Sequence, residues 1–513
     1  MACIVTDEPG THEVRALDLF DDLSGDGVGP RRLRCIRADM AQRRRCVGGS
    51  YERARTHPFR YYGPVRFGVA FWCLAVELLL SACSDELAVD DMFSEAEWRR
   101  INTFSPLPPP PPSPTNRFAD NLAVAEFGQR LWFEKHYAGE ITEGCMQAGC
   151  ADDGGLGKIG ERGKVSCSDC HQAEHWFNDT RSIPNTTSLG TARTRRNAPS
   201  MVNAVFYEWG NWAGSHDQFW KQGANSPESK DNFNSDRLRY VHVIYDYYRD
   251  HYNALFEPDL DAALDSRALD AARFPPSGKP KVSGANDGAW EGMLPKDRDH
   301  VNEVMANCGK ALEAYERRLV SGNSPFDRYV AGDFDALSTS AKRGLKLFIG
   351  KAGCDSCHEG ETFTDQDFHN TGVTQTGTFD EGRYVDVLRL PNLWNGAGKY
   401  SDDPITGAEK LVGTEQNETM RGQFRTKSLR HIAETAPYFH NGSAATLADV
   451  VRFYNGGGGA AATFPGVKDE KLVPLNLSDT EISDLATFLE SLTGEPIPAD
   501  LMRNTAATGP VSP

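Results

Sequence analysis

Two pentapeptides of the form Cys-x-x-Cys-His constrain this chain more than any other feature: CSDCH at Cys167–His171 and CDSCH at Cys354–His358. With twelve Cys and 13 His in 513 residues, roughly 0.007 such motifs are expected by chance. Two thiols one helical turn apart can each add to a vinyl group of a haem, and the His that follows turns its imidazole to the iron. A zinc site needs no His directly after the second Cys. A thioredoxin-type dithiol occurs once, near a βαβ pattern that this chain lacks. The chain therefore reads as a protein with two covalently bound c-type haems, held by Cys167, Cys170, Cys354 and Cys357, with His171 and His358 as axial ligands.

The two motifs have related surroundings. GQRLWFE (Gly128–Glu134) precedes the first and GLKLFIG (Gly344–Gly350) the second, each a short helix end followed by a haem motif. Apolar residues recur at three-to-four spacing in Asp236–Phe256, His300–Val320 and Leu477–Leu492, which predicts helices, and Ser478 with Glu481 makes a capping box. The 48 Gly and 29 Pro call for much irregular structure. The expected fold is mostly α, with two cytochrome c-like domains, long loops and one haem each. The first spans 116–335 and the second 336–496, with a loose tail over 497–513.

Upstream, FGVAFWCLAVELLLSA (Phe67–Ala82) is apolar except for Glu77, short for a membrane span and typical of a signal segment. It ends in Leu80-Ser81-Ala82-Cys83, similar to a bacterial lipobox, which would make Cys83 a lipidated first residue of the mature protein. An uncleaved anchor or an apolar core helix is the alternative. On the first reading residues 65–83 are the signal, and the protein lies on the periplasmic side of a bacterial membrane, held there only through this lipid or signal anchor. Residues 1–64, with the basic run RRLRCIRADMAQRRR, read as a non-native or untranslated extension. Residues 84–115, acidic and carrying SPLPPPPPSP (Ser105–Pro114), read as an extended tether. Beyond residue 83 the chain has 43 basic and 62 acidic residues, a net of −19, which argues against nucleic acid and for a basic protein partner or a neutral small substrate. Cys145 and Cys150 could pair in an oxidising compartment, and Cys308 reads as a buried free thiol.

From about Asn116 to Leu492 the chain resembles the bacterial di-haem cytochrome c peroxidase family, including its relative that matures the tryptophan tryptophylquinone cofactor. The residues that carry this are CSDCH with RNAPSMVNAVF (Arg196–Phe206), CDSCH, and FRTKSLRHIAETAPYFHNGSAATLADVVRFYNGG (Phe424–Gly457). The resemblance implies a second axial ligand for the His358 haem at Tyr454, as in the cofactor-maturing branch; peroxidases that need reductive activation have Met there. Those peroxidases also carry a second His sixteen residues after the first CxxCH His, where this chain has Thr187. The resemblance thus implies an open His171 haem that accepts hydrogen peroxide, with His175 and His216 as remaining ligand candidates.

It further implies an electron relay at Trp212, a distal-pocket Gln at Gln222, and a calcium ion held by the Asn197 side chain with the carbonyls of Thr435 and Pro437. The family's distal Glu falls on Asn232, so the acid that moves the peroxide proton is to be sought nearby, at Glu228 or Asp231. Met420 and His369 match no ligand position. Three functions follow as expectations. The leading one is reduction of peroxide with electrons from a small monohaem cytochrome c or cupredoxin. The others are oxidation of a protein or peptide side chain, and electron carriage without turnover.

Overall fold

A computed structural model describes residues 89–144, 156–182, 185–282, 284 and 287–511, within one compact unit spanning 85–513. Cys83, Cys145 and Cys150, the signal segment and residues 1–64 lie outside the described residues. Among the described residues the structure is helical with long loops; its one two-stranded sheet pairs Phe368–His369 with Phe424–Arg425, antiparallel. None of these helices is long and apolar enough to cross a membrane.

The principal helices are α1 (Glu95–Ile101), α2 (Leu122–Trp132), α3 (Phe219–Asn225), α4 (Arg237–Asn253), α5 (Pro295–Glu316), α6 (Pro325–Val330), α7 (Thr339–Phe348), α8 (Leu447–Asn455) and α9 (Asp479–Glu490). They build two apolar cores. In the first, α2 and α3 pack on α5 with α4 beside them, burying Phe127, Leu131, Trp220, Tyr248 and Tyr315. In the second, α7 packs on α9 with α6 and α8 around them, burying Tyr329, Leu345, Phe348 and Phe488.

The repeat seen in the sequence has a physical cause. A Cβ added at Gly128 would stand 1.9 Å from the Ala311 carbonyl oxygen of α5, and one at Gly344 would stand 2.1 Å from the Asp484 carbonyl oxygen of α9. In each half, the helix leading to the Cys-x-x-Cys-His motif crosses its partner backbone to backbone, which only glycine permits. Asn121 caps α2 and Ser338 caps α7, each accepting from an amide of the first turn.

Three expected boundaries are corrected. The segment read as a tether is folded: α1 starts in a capping box between Ser94 and Glu97 and buries Trp98 and Ile101, while Phe93 and Phe104 join the second core. The proline run lies along the first half, where Arg317 Nη1 donates to the Pro111 carbonyl at 2.6 Å and Ser113 donates to Glu313 at 2.6 Å. The tail is packed too. Ile497 and Leu501 belong to the first core, and Tyr315 Oη donates to the Leu501 carbonyl at 2.6 Å. Finally, Phe326 and Tyr329 pack into the second core, so the change from one core to the other falls after Leu319 and not at 335.

The halves also interlock. Lys221 and Asp217, both fully buried and 3.1 Å apart, sit on or beside α3. Lys221 Nζ donates to the carbonyls of Arg389 (3.1 Å) and Leu390 (2.9 Å), and Asp217 accepts from the Gly396 amide at 2.6 Å. A loop from the C-terminal half is thereby clamped onto the first core, where Trp394 is buried.

Candidate haem sites

The first motif forms one helical turn, Cys167–Cys170, opened by Ser166, whose amide donates to Asp169 at 2.7 Å. His171 follows, its amide donating to the Cys167 carbonyl at 2.9 Å. Its Nδ1 lies 2.9 Å from the Pro199 carbonyl and 3.3 Å from that of Phe177. Two acceptors there place the proton on Nδ1 and leave Nε2 as the free donor atom for a metal. The second motif repeats the arrangement: the His358 amide donates to the Cys354 carbonyl at 3.0 Å, and Nδ1 faces the Phe363 carbonyl at 3.0 Å. Burial pulls both imidazoles below their usual pKa, which keeps them neutral and able to ligate. All four motif thiols are free.

At the first motif opens a cavity of about 1130 Å³, beyond the ~300–1,000 Å³ of drug-sized sites. Cys167, Cys170 and His171 form part of its wall, and Trp212, Gln222 and Asn232 another part. Arg425 and Lys427 also reach it. Arg425 is buried with Nε and Nη1 unpartnered, and burial draws its guanidinium down to about 10. Lys427 is held well below its usual range by burial and then by Arg425, with its ammonium 4.8 Å from the Trp212 ring. Buried cations without an anion are costly. A haem fits here: the thiols would take its vinyl groups, His171 Nε2 its iron, and its carboxylates would meet these unpartnered cations.

Beside the second motif stands Tyr454, on α8, with Phe439 and Phe453 against it at 6.3 and 5.2 Å between ring centres. Burial first, then the Cys354 and Cys357 sulfurs, hold its phenol well above its usual pKa, so the side chain lies within electrostatic reach of both thiols. Trp212 stands in the wall of the first cavity. Its Nε1 donates to the Asn197 carbonyl at 2.7 Å, its carbonyl accepts from the Arg425 amide at 2.8 Å, and its ring meets that of His440 edge-on at 6.4 Å.

The Asn197 side chain donates to the Thr186 carbonyl at 2.9 Å and accepts from the Gly442 amide at 3.2 Å. That orientation sets its Oδ1 3.4 Å from the Pro437 carbonyl oxygen, two acceptors facing one another. Such a pair suits a hard cation. Thr435 lies two residues before Pro437 and donates its hydroxyl to the Ile432 carbonyl at 3.1 Å.

The expected acid at Glu228 is corrected. Arg237 binds it bidentately at 2.7 and 2.8 Å, Asn302 takes another guanidinium hydrogen at 2.6 Å, and Glu228 is not among the cavity residues. Asp231 and Asn232 do line the cavity. So does Gln222, whose Nε2 donates to Ser226 at 2.8 Å while Oε1 is buried without a partner. Thr187 donates to the Thr194 carbonyl at 2.5 Å and stands outside the cavity, and His175 is exposed. His216, by contrast, is part of the wall. His369 is taken up by Asp469 at 2.6 Å and Asp365 at 2.9 Å. Cys308 is buried.

Sequence reasoning missed three contributors: Glu316, Arg425 and Lys427. Glu316 ends α5 in the cavity wall, with Oε2 unpartnered and its carboxyl pushed well up by burial and then by Glu313. Its signal was an acid on a mostly apolar helix face. Arg425, in the second strand, and Lys427, just after it, alternate in FRTK, a pattern that reads as a solvated edge until the burial is known.

Comparison with known proteins agrees with this geometry. The sequence profile of the di-haem cytochrome c peroxidase family matches residues 157–335. The cytochrome-c peroxidase IdrP1 of Denitromonas iodatirespirans is 32% identical over 400 residues, covering 76% of this chain and 86% of that protein. The methylamine utilization protein MauG of Methylorubrum extorquens is 36% identical over 186 residues, 36% of this chain and 44% of that one. Among solved structures, the diheme peroxidase BthA of Burkholderia thailandensis superposes with a TM-score of 0.51 at 19% identity, covering 80% of this chain and all of the other, which bears on the fold alone. The chain belongs to the di-haem cytochrome c peroxidase family. It is accordingly a peroxidase-type oxidoreductase built on two c-type haems.

Proposed function

We propose that the chain reduces hydrogen peroxide to water in the cavity beside His171, with electrons delivered through Trp212 from the site of His358 and Tyr454. On this reading each core holds one haem. The donor is a small monohaem cytochrome c or cupredoxin, and the protein works on the periplasmic face of a membrane, anchored at Cys83. A calcium ion bound by Asn197, Thr435 and Pro437 stiffens the junction under Trp212. The observation that carries the reading is the contrast between the two motifs: a large, mainly apolar cavity with a few polar groups opens at His171, while a buried phenol stands beside Cys354 and Cys357.

The haem, when bound, supplies reversible electron transfer at its iron. The residues of the chain do the rest. Pro199 and Phe177 fix the His171 ring, so its Nε2 stays basic and aimed. The unpartnered Oε1 of Gln222 offers an acceptor to a small hydroxylic guest. Arg425 and Lys427 hold carboxylates. Trp212, bonded to the backbone of Asn197, is a rigid aromatic bridge.

The test is stopped-flow oxidation of a reduced monohaem cytochrome c by hydrogen peroxide. The wild-type protein is expected to turn over, and His171→Gly to fall to background. A wild-type protein that keeps its oxidised state for minutes and ignores the donor would overturn the reading in favour of a protein substrate. The Tyr at 454 favours that second reading.

A further inference from the structure

The position where the family carries its distal carboxylate holds Asn232, and Glu228 is bound away by Arg237. The cavity therefore needs another group able to donate a proton or hydrogen bond to a small ligand. Glu316 is in the wall, but its nearest electrostatic partners include the Cys167 thiol, at the covalent attachment. Asp231 is paired with Lys230 at 3.9 Å. His216 remains.

Its placement is specific. The Asn211 amide Nδ2 lies 2.8 Å from His216 Nδ1 and donates to Ser215 Oγ at 2.9 Å; Ser215 Oγ lies 2.9 Å from the same Nδ1. With donors converging on Nδ1, the ring proton sits on Nε2, the nitrogen with no partner among the described residues. The backbone holds the ring in place: the Gly210 amide donates to the His216 carbonyl at 2.7 Å, closing a tight bridge around Trp212. A Cβ at Gly210 would stand 2.9 Å from that of His216, so the turn is packed down to its backbone. Burial first, then Lys221 and Arg389, draw the imidazole down to about 3. It is thus neutral through the working range, and its Nε2–H is a fixed dipole and not a titrating charge.

We infer that His216 is the hydrogen-bond donor of the first haem site, presenting Nε2–H to a small anionic or peroxidic ligand in the cavity, and that it is not itself an iron ligand. The inference rests on the His171 cavity being the ligand site. An imidazole pinned through Nδ1 by two neighbours gives up rotational freedom before the ligand arrives, so its hydrogen bond costs little ordering on binding. The role falls to a residue four positions after Trp212, where no acid is present.

The experiment uses the ferric holoprotein and fluoride, a small anion whose affinity for ferric haem depends on a nearby donor. Fluoride is titrated by absorbance into wild type, His216→Leu and His216→Gln, with electron paramagnetic resonance spectra of each before titration. The wild type is expected to show a high-spin first haem. Fluoride affinity is expected to fall about tenfold to a hundredfold in His216→Leu, the loss of one good hydrogen bond, and to recover in part in His216→Gln. Unchanged fluoride affinity in His216→Leu overturns the inference. So does a low-spin first haem in wild type that becomes high-spin in His216→Leu, which would make His216 the ligand. Should fluoride respond as expected while peroxide is not turned over, the proposed activity fails and the donor assignment stands.

Discussion

The two halves share one plan and differ in what fills the space beside each Cys-x-x-Cys-His motif. In both, a glycine-crossed helix pair leads into the motif, and a backbone carbonyl takes the His Nδ1 proton: Pro199 for His171 and Phe363 for His358. In the first half the adjoining space is a cavity with unpartnered polar atoms from Gln222, Glu316 and Arg425. In the second, α8 brings Tyr454 in among Phe439 and Phe453. The common part positions each motif; on the proposed reading, the different part decides whether an outside ligand can enter. The cavity is also not the property of its own half, because Arg389, Asn392, Arg425 and Lys427 all come from the C-terminal part of the chain. A site assembled from both halves needs both folded.

That dependence gives the largest expected effect. Valine at Gly128 or Gly344 would drive Cβ into a backbone carbonyl of the partner helix, and backbone cannot move aside as a side chain can. Each substitution is expected to cost more than ~5 kcal/mol, at the exceptional end of single changes, and to unfold its own core. The outcomes should be unequal. Gly344→Val should damage both haem sites, since the second half supplies the cavity's far wall, whereas Gly128→Val should spare the His358 site. Haem absorbance with near-ultraviolet circular dichroism reads this; equal damage from both would mean that the clamp at Lys221 and Asp217 does not carry the asymmetry.

The motifs and the helix pairs were legible in the sequence because covalent chemistry and helix crossing leave local signatures: fixed Cys-His spacing, a recurring glycine, apolar residues at three-to-four intervals. Residues 84–115 were not legible. A proline run has no period that says whether it is solvated or laid on a surface, and what decides is distant partners such as Arg317 and Glu313. The tail failed for the same reason, since Ile497 and Leu501 are too few to form a pattern and are buried only because α2 and α5 leave a place for them. At the cavity, Glu228 stands close in sequence to the family's acid position, yet Arg237, nine residues on, takes it. Lys427 reads as a surface charge until the fold closes over it.

The next effect separates the two cores by acid. Asp327, on α6, is bound by Arg430 at 2.9 and 3.0 Å and by Ser105 at 2.7 Å, and Arg430 Nη2 also donates to the Phe104 carbonyl at 3.1 Å. Burial alone would raise the carboxyl; the Arg430 bonds outweigh it and hold it at about 2. Since the folded value lies below the ~3.9 of an unfolded Asp, the stabilisation is present above that value and is lost as pH falls towards 2. Asp327→Asn leaves Arg430 buried without its anion and is expected to cost ~3–5 kcal/mol. Thermal melts between pH 5 and pH 2.5 should show a shallower acid dependence in the variant. Limited proteolysis should cut it near Ser105, because the segment read as a tether is held by this same pair. A variant as resistant there as wild type would show that α1 and Phe104 hold the segment without the ion pair.

The smallest expected effect belongs to the first core and tests the tail. Leu501 is 3% exposed, its carbonyl accepts from Tyr315 Oη, and the Asp500 carbonyl accepts from Gln129 Nε2 at 2.7 Å, tying the chain end to α5 and α2 together. Leu501→Ala removes a buried side chain at the edge of the core, where neighbours can close in, so about 2 kcal/mol is expected, the low end for such truncations. The loss should appear as faster hydrogen exchange in α2 and α5, with α7 and α9 unchanged, because Leu501 touches only the first core. No change in α2 would mean that the side-chain bonds from Tyr315 and Gln129, and not the apolar contact, hold the tail. The variant that separates those causes is Gln129→Leu, which removes the side-chain bonds to Asp500 and Arg503 while leaving Leu501 in place.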